Sequence, residues 1–314
     1  KGFGIILSSG GSSGGPHRCL HSFSNLNQSA LATGKWLISN GIVPESCSIF
    51  NALPIHHVSG LMQWWRSRVW GTPHQWVKPS LIKKPLELKK TYLPLFRHTL
   101  NPFVISLVPT QIERLLAHQE SVAWLKNFEV IWVGGAALSL ELASKARRYQ
   151  IRLAPCYGAT ETAAMIAVQN PSDFLAGEKG CGQPLSDIQL ALAKDGALKV
   201  KTSRLAEARW KTGKLETLKD PNGRWRAEDA AKITIKNSQI NLQIIKRMDT
   251  AINSGGETIF PEELEKRLIK NALLAKISFQ YVLFLPIKDE EWGERVVALI
   301  KWNDNQSKEE ENLN

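Results

Sequence analysis

The sequence predicts an α/β fold, a large lobe of sheets flanked by helices followed by a small α+β lobe, and three observations carry that prediction. Strand-like apolar runs alternate with amphipathic helical stretches through the first half of the chain, the rhythm of a sheet covered by helices. After Gly182 the pattern changes to short strands broken by turn dipeptides, with Asp195-Gly196 and Asn222-Gly223 reading as hairpin turns. Near Lys246–Gly256 a charged, Gly-rich connector precedes Pro261-Glu262-Glu263, a helix start with proline and acids in its first turn. The lobe boundary is therefore expected at about Asp249, giving lobes of residues 1–248 and 249–314.

Taken in order, the chain opens on a strand-like run at Phe3–Leu7 that meets a Ser/Gly loop at once, and an amphipathic helix follows over about Asn25–Ile38. Further strands are expected at Ser48–Leu53, Phe103–Val108, Val130–Val133 and Ile151–Pro155, alternating with helices at Gly60–Trp70, Thr110–His118 and Ser139–Arg148. Trp64, Trp65 and Trp70 read as packing aromatics, the Lys83–Lys90 cluster as a solvated face, and Gln306–Asn314 as a polar tail. The start on a core strand and the short second lobe lead us to expect a fragment, lacking part of each lobe.

At 314 residues and 43% hydrophobic content the chain can bury a large core. The four cysteines show neither CxxC pairs nor disulfide-framework spacing, and no apolar run is long enough to span a bilayer, so a cytoplasmic setting without an integral membrane segment is expected. The formal charge of +11 would suit nucleic acid, but the basic residues are scattered and no dense basic run is interleaved with aromatics. Small polyanions are the expected partners, because they gain equally from a positive field. Homo-oligomerisation is left open.

The loop Ser8–Arg18 is where a polyphosphate would be wrapped by backbone N–H groups and hydroxyls, with Ser9, Gly10, Ser12, Ser13 and Gly14 as candidates. It is not a Walker loop, since Pro16 follows Gly15 where lysine is required. Alone its composition reads more readily as a flexible linker, and the strand before it shifts the reading back toward a ligand loop. Four further segments change that: Leu53-Pro54-Ile55-His56-His57-Val58-Ser59-Gly60; Val133-Gly134-Gly135-Ala136-Ala137-Leu138; Tyr157-Gly158-Ala159-Thr160-Glu161-Thr162 with Gly180-Cys181-Gly182-Gln183-Pro184; and Lys246-Arg247-Met248-Asp249 through Pro261. Together, in this order, they resemble the acyl-adenylate-forming (AMP-binding) superfamily over nearly the whole chain.

The resemblance implies an ATP-dependent enzyme that activates a carboxylic acid as its adenylate and passes it to a thiol, with ATP, Mg²⁺ and coenzyme A as cofactor and co-substrates. It implies that Tyr157 lies against adenine with Gly135, Ala136 and Gly158 around the same pocket, and that Thr160 donates to the α-phosphate. Glu161 would hold Mg²⁺, a hard cation that prefers carboxylate and phosphate oxygens. Asp229 would accept the ribose hydroxyls, Arg247 would reach the nucleotide, Asp249 would be the hinge, and Gly256 would line a pantetheine tunnel. His57 would border the acyl pocket, or be a structural histidine; His56 is taken as packing. Within the superfamily, Val104–Gln111 with Arg114-Leu115-Leu116 and His57–Leu61 resemble the 2-succinylbenzoate–CoA ligase branch, which serves menaquinone or phylloquinone synthesis. Another aryl or fatty acid, or a non-catalytic nucleotide-binding homologue, are the alternatives.

The sequence departs from the family pattern in three places. His17 stands where the loop lysine is usual, so phosphate contact is expected to pass to Arg18 or weaken. Ala227-Glu228 replace the usual Thr-Gly before Asp229. No residue of this stretch can be assigned to the late catalytic lysine of the small lobe.

Overall fold

The computed structural model describes residues 4–9, 17–98, 100–211, 213–236, 239–248, 250, 252–254 and 257–303. The expectations for Gly10, Ser12, Ser13, Gly14, Asp249, Gly256 and Gln306–Asn314 lie outside these residues. In chain order the first half comprises β1 (Gly4–Ser8), β2 (Arg18–Ser22), α1 (Phe23–Ser39), β3 (Ser48–Asn51), α2 (Val58–Trp70), β4 (His74–Trp76), α3 (Pro85–Tyr92), β5 (Phe103–Leu107), α4 (Pro109–Leu116), α5 (Gln119–Leu125), β6 (Phe128–Val133) and α6 (Leu140–Arg148). Then follow β7 (Leu153–Ala159), β8 (Ala164–Val168), α7 (Pro171–Leu175), β9 (Gln183–Pro184), β10 (Gln189–Leu192), β11 (Ala197–Lys201), β12 (Ala208–Lys211) and β13 (Lys214–Glu216). The last elements are β14 (Trp225–Lys236), β15 (Gln239–Arg247), β16 (Ile252–Ser254), β17 (Glu257–Ile259), α8 (Pro261–Leu274), β18 (Phe279–Asp289) and β19 (Gly293–Trp302).

The central sheet runs β4-β3-β5-β6-β7-β8-β9, parallel from β4 to β7 and antiparallel beyond it. Its parallel strands are apolar on both faces, as a sheet covered by helices requires. The period of two sorts their residues: Ile49, Val104, Val130 and Trp132 pack with Trp36 and Leu37 of α1 and Trp70 of α2, whereas Phe50, Ile105, Ile131 and Val133 pack with α3, α4, α5 and α6. Two further sheets have four strands each, the antiparallel β1-β2-β12-β13 and β10-β11-β14-β15, the first of them within the first compact unit. The second unit comprises Ile245 onward together with Glu228–Ala230 of β14, and contains the sheet β17-β16-β19-β18 with α8 against β18.

Three readings need correction. The Ser/Gly loop joins two antiparallel strands, β1 and β2, rather than leading from a strand to a helix, and of β1 only Leu7 is buried. A two-stranded ribbon with one polar face reads weakly in sequence because half its residues face outward. Asp195-Gly196 does turn β10 back onto β11, but the turn at Asn222-Gly223 joins strands of different sheets and is no hairpin; its Gly223 takes φ +73° and donates to the Asp220 carbonyl. His56, expected in packing, is exposed. The tryptophans and the Lys83–Lys90 stretch follow expectation: Trp70 is buried, Trp65 donates to Asn27, and Lys83, Lys84 and Lys90 are exposed.

Candidate active site

A cavity of about 360 Å³ opens at the carboxyl ends of the parallel strands, where sheets of this kind bind ligands. Its wall is built from the residues that follow or end β3, β5, β6 and β7: Leu53, Leu107, Val108, Gly134, Gly135, Cys156, Gly158 and Thr160, with α2 closing one side. Gly135, at φ +82°, makes the turn after β6 that a side chain would strain. Gly158 faces the cavity and backs onto β8 so closely that a Cβ there would lie 2.2 Å from the Ala164 carbonyl oxygen. His57, at the N-cap of α2, lines the cavity and offers its carbonyl, not its side chain, to the first turn of the helix.

The geometry thus brings His57, Gly135, Gly158 and Thr160 to one cavity. Tyr157, on the alternate face of β7, is half-buried against the α1-side core, and Ala136 is exposed. Arg18 is exposed on the face of β2 opposite buried Cys19 and His21. Asp229 and Arg247 belong to the second unit, where the Arg247 guanidinium lies 3.5 Å from Glu228.

Glu161 is buried, and its carboxylate accepts from His17 Nε2 at 2.8 Å while Arg209 Nη1 lies 3.8 Å away. Ser9 Oγ bonds the other ring nitrogen of His17 at 2.9 Å. Burial would raise the Glu161 pKa, but the hydrogen bonds from His17 and backbone, with the charge of Arg209, outweigh it and hold the group below its ordinary value. One deprotonated carboxylate is what Mg²⁺ needs from the protein, since that ion keeps waters and takes the rest of its shell from phosphate, and Glu161 fits the expected ion. Behind it His21, kept neutral by burial, donates Nε2–H to the Thr160 carbonyl at 2.7 Å.

The sequence reading missed Arg66, Gln63 and Arg209. Arg66 lines the cavity at 1% exposure, stacks its guanidinium 5.2 Å from the Trp132 ring centre, and leaves Nε and Nη2 buried without a hydrogen-bond partner. No carboxylate pairs with it among the described residues. Gln63, one turn earlier on α2, donates to Ser106 Oγ and also lines the cavity. The available signal was register: Met62, Gln63, Arg66, Ser67 and Trp70 share the buried stripe of α2, and a glutamine and an arginine on such a stripe call for a polar target.

Fold and site together define an adenylate-binding scaffold, and the chain belongs to the AMP-binding enzyme family, whose model matches residues 4–209. It is similar to the 2-succinylbenzoate–CoA ligase of Escherichia coli K12, 30% identical over 293 residues that cover 93% of this chain and 57% of that protein. The Haemophilus influenzae protein of the same name is 32% identical over 262 residues, covering 82% of this chain and 51% of its own length. Among solved structures, a variant of E. coli MenE with bound OSB-AMS superposes with TM-score 0.70 at 26% identity, covering 95% of this chain and 58% of that one. The Bacillus subtilis o-succinylbenzoate CoA synthetase in complex with the acyl-adenylate OSB-AMP shares the fold, with TM-score 0.73 at 22% identity over 95% of this chain and 59% of that one. The chain thus spans little more than half the length of these relatives. No helix among the described residues is long and apolar enough to cross a membrane.

Proposed function

We propose that this chain carries the acid- and nucleotide-binding machinery of an AMP-forming acid–thiol ligase that adenylates 2-succinylbenzoate and transfers it to coenzyme A, in menaquinone or phylloquinone synthesis. The observation that carries the substrate is Arg66. A buried guanidinium with two unpartnered donating nitrogens costs several kcal/mol unless an anion completes it. A dicarboxylate supplies that anion, because one carboxylate reacts while the second remains to be bound, and a planar guanidinium suits it bidentately. A fatty acid offers nothing to Arg66. The printed names of the relatives support the same substrate.

In this reading the reacting carboxylate attacks the α-phosphorus of ATP and pyrophosphate leaves; the thiol then attacks the mixed anhydride and AMP leaves. Thr160 donates its hydroxyl to an α-phosphate oxygen, and Gly135 and Gly158 leave room for the nucleotide. Tyr157, Asp229 and Arg247 hold adenine, ribose and phosphate, with Ser9 and the loop glycines and serines around the polyphosphate, and rotation about Asp249 brings the second half-reaction into register. Mg²⁺, held by Glu161, would offset the charge of the transferring phosphate. Most of the catalysis is positioning and charge neutralisation. The cytoplasm is the proposed location.

The test is ATP-, Mg²⁺- and coenzyme A-dependent acyl-CoA formation from 2-succinylbenzoate, benzoates and fatty acids. Preference for 2-succinylbenzoate that collapses in R66M supports the assignment. Equal turnover of monocarboxylates would discard the substrate and keep the reaction, whereas absence of pyrophosphate release with every acid would favour a non-catalytic homologue.

A further inference from the structure

The strand β2 and the residue before it present a donor set that an Mg²⁺ site does not require. His17 and Cys19 stand two residues apart and so share one face, and Glu161 meets them there. The imidazole nitrogen, the thiol sulfur and a carboxylate oxygen all lie within 4.8 Å of one another. Nitrogen and sulfur are poor ligands for Mg²⁺ but good ones for Zn²⁺ and its relatives. We propose that His17, Cys19 and Glu161 form a binding site for a thiophilic divalent cation of the Zn²⁺ class, which takes Glu161 away from Mg²⁺ and so inhibits the reaction.

Three details carry this. The hydrogen bond between Ser9 Oγ and His17 Nδ1 serves either protonation pattern. In the metal-free chain Nε2–H donates to Glu161. With a cation bound, Nδ1 carries the proton and donates to Ser9, and Nε2 offers its lone pair to the metal, the outer-ligand arrangement usual at histidine sites. The His17 carbonyl also accepts from Ser9 N at 2.8 Å, which fixes the start of β2 in extended pairing and leaves His17 little freedom to turn away. Finally, zinc bonds of about 2.0–2.3 Å place the ligand atoms of a tetrahedral site roughly 3.3–3.8 Å apart, so His17 Nε2 and Glu161, now 2.8 Å apart, part by about half an ångström while Cys19 draws in by about one at most. Cys19 loses its thiol proton to solvent as the Zn–S bond forms.

One charge opposes a cation here. Arg209 lies 3.8 Å from Glu161, but both its Nε and Nη2 are engaged by Glu216 Oε2, at 3.0 and 2.8 Å, so its charge is largely answered elsewhere. Water is expected to fill the fourth position of the cation, as at open zinc sites. The binding claim stands on this geometry alone, and only the inhibition rests on the proposed role of Glu161.

Co²⁺ serves as the spectroscopic probe, since thiolate-to-cobalt charge transfer absorbs in the near ultraviolet and Mg²⁺ gives no such band. The expected result is one Co²⁺ per chain with that band, displaced by Zn²⁺. C19S, which conserves the volume of the buried thiol, loses the band and weakens Co²⁺ binding at least tenfold. E161Q keeps the thiol and weakens binding likewise. Zn²⁺ inhibition of pyrophosphate release is relieved at least tenfold in C19S; if the chain releases no pyrophosphate, the proposed function fails while the cobalt spectrum still decides the site. Absence of a thiolate band in the unaltered chain, or a band that persists in C19S and vanishes in C156A or C181A, overturns the proposal.

Discussion

Two arginines are fully buried in the first unit, and their surroundings differ in kind. Arg204 is satisfied: Nε bonds Asp187 at 2.7 Å, Nη1 bonds Ser29 Oγ and the Thr162 carbonyl at 2.9 Å, and Nη2 bonds the Met165 carbonyl at 2.6 Å. It clasps the turn after Thr160-Glu161, where Ala163 and Ala164 take φ +51° and +80°, the left-handed region that disfavours alanine. Arg66 has only the Trp132 ring and a cavity before it. Burial pushes its pKa down to about 9, whereas for Arg204 the Asp187 carboxylate opposes the same effect. The contrast teaches that a buried charge answered by the protein holds structure, and that one left unanswered beside a cavity, as Arg66 is, needs a partner from outside the chain, which the proposed function supplies.

The largest expected effect separates the two directly. R204A strips half-buried Asp187 of its charged partner, leaves the buried Thr162 and Met165 carbonyls without that donor and frees the left-handed turn, so it should lose about 3–5 kcal/mol in chemical denaturation. An undiminished midpoint would show that the turn holds itself.

R66M, by contrast, removes an uncompensated charge and fills similar volume. It should leave stability unchanged or raised while weakening 2-succinylbenzoate about 10- to 100-fold, the worth of a charge-assisted hydrogen bond of about 1.5–3 kcal/mol, seen as a raised KM. A drop in stability matching that of R204A would make Arg66 structural and break the comparison.

A smaller effect concerns pH. His21 and His74 have pKa values lowered below 6.5 by burial, so the unfolded chain binds more protons and stability falls as pH drops below about 6.5. Glu161, also lowered, adds stability that is present above 4.5 and lost as pH falls through its folded-state value. Denaturation midpoints should therefore fall in two stages on acidification, and E161Q should shrink the lower one, to which Asp195, Asp220 and Asp289 also contribute. A midpoint flat from neutrality to pH 5 would show that the histidines do not contribute as neutral groups. Smallest of all is the exposed pair Lys84–Glu87, 57% exposed on each side, where K84A should change stability by less than about 0.5 kcal/mol.

Much of this was legible from local pattern. The parallel strands announced themselves as apolar runs, and the turn at Gly134-Gly135 and the segment Tyr157–Thr162 stood out by their resemblance to the superfamily's motifs. The ribbon of β1 and β2 was less legible, since a strand with one exposed face has few apolar residues to betray it. Arg66 was hidden among tryptophans, and nothing next to it in sequence says that it faces a cavity instead of a carboxylate.

The sequence by itself determined the α/β architecture, the family and the order of its motif segments, because hydrophobic period and glycine placement act over a few residues and are written locally. Only the tertiary structure decided that His17 meets Glu161 across 144 positions, that Arg204 reaches Ser29 across 175, and that Arg66 meets neither. Charge pairing depends on distance through space, and in a buried site the nearest carboxylate, or its absence, is set by which strands and helices the chain brings together.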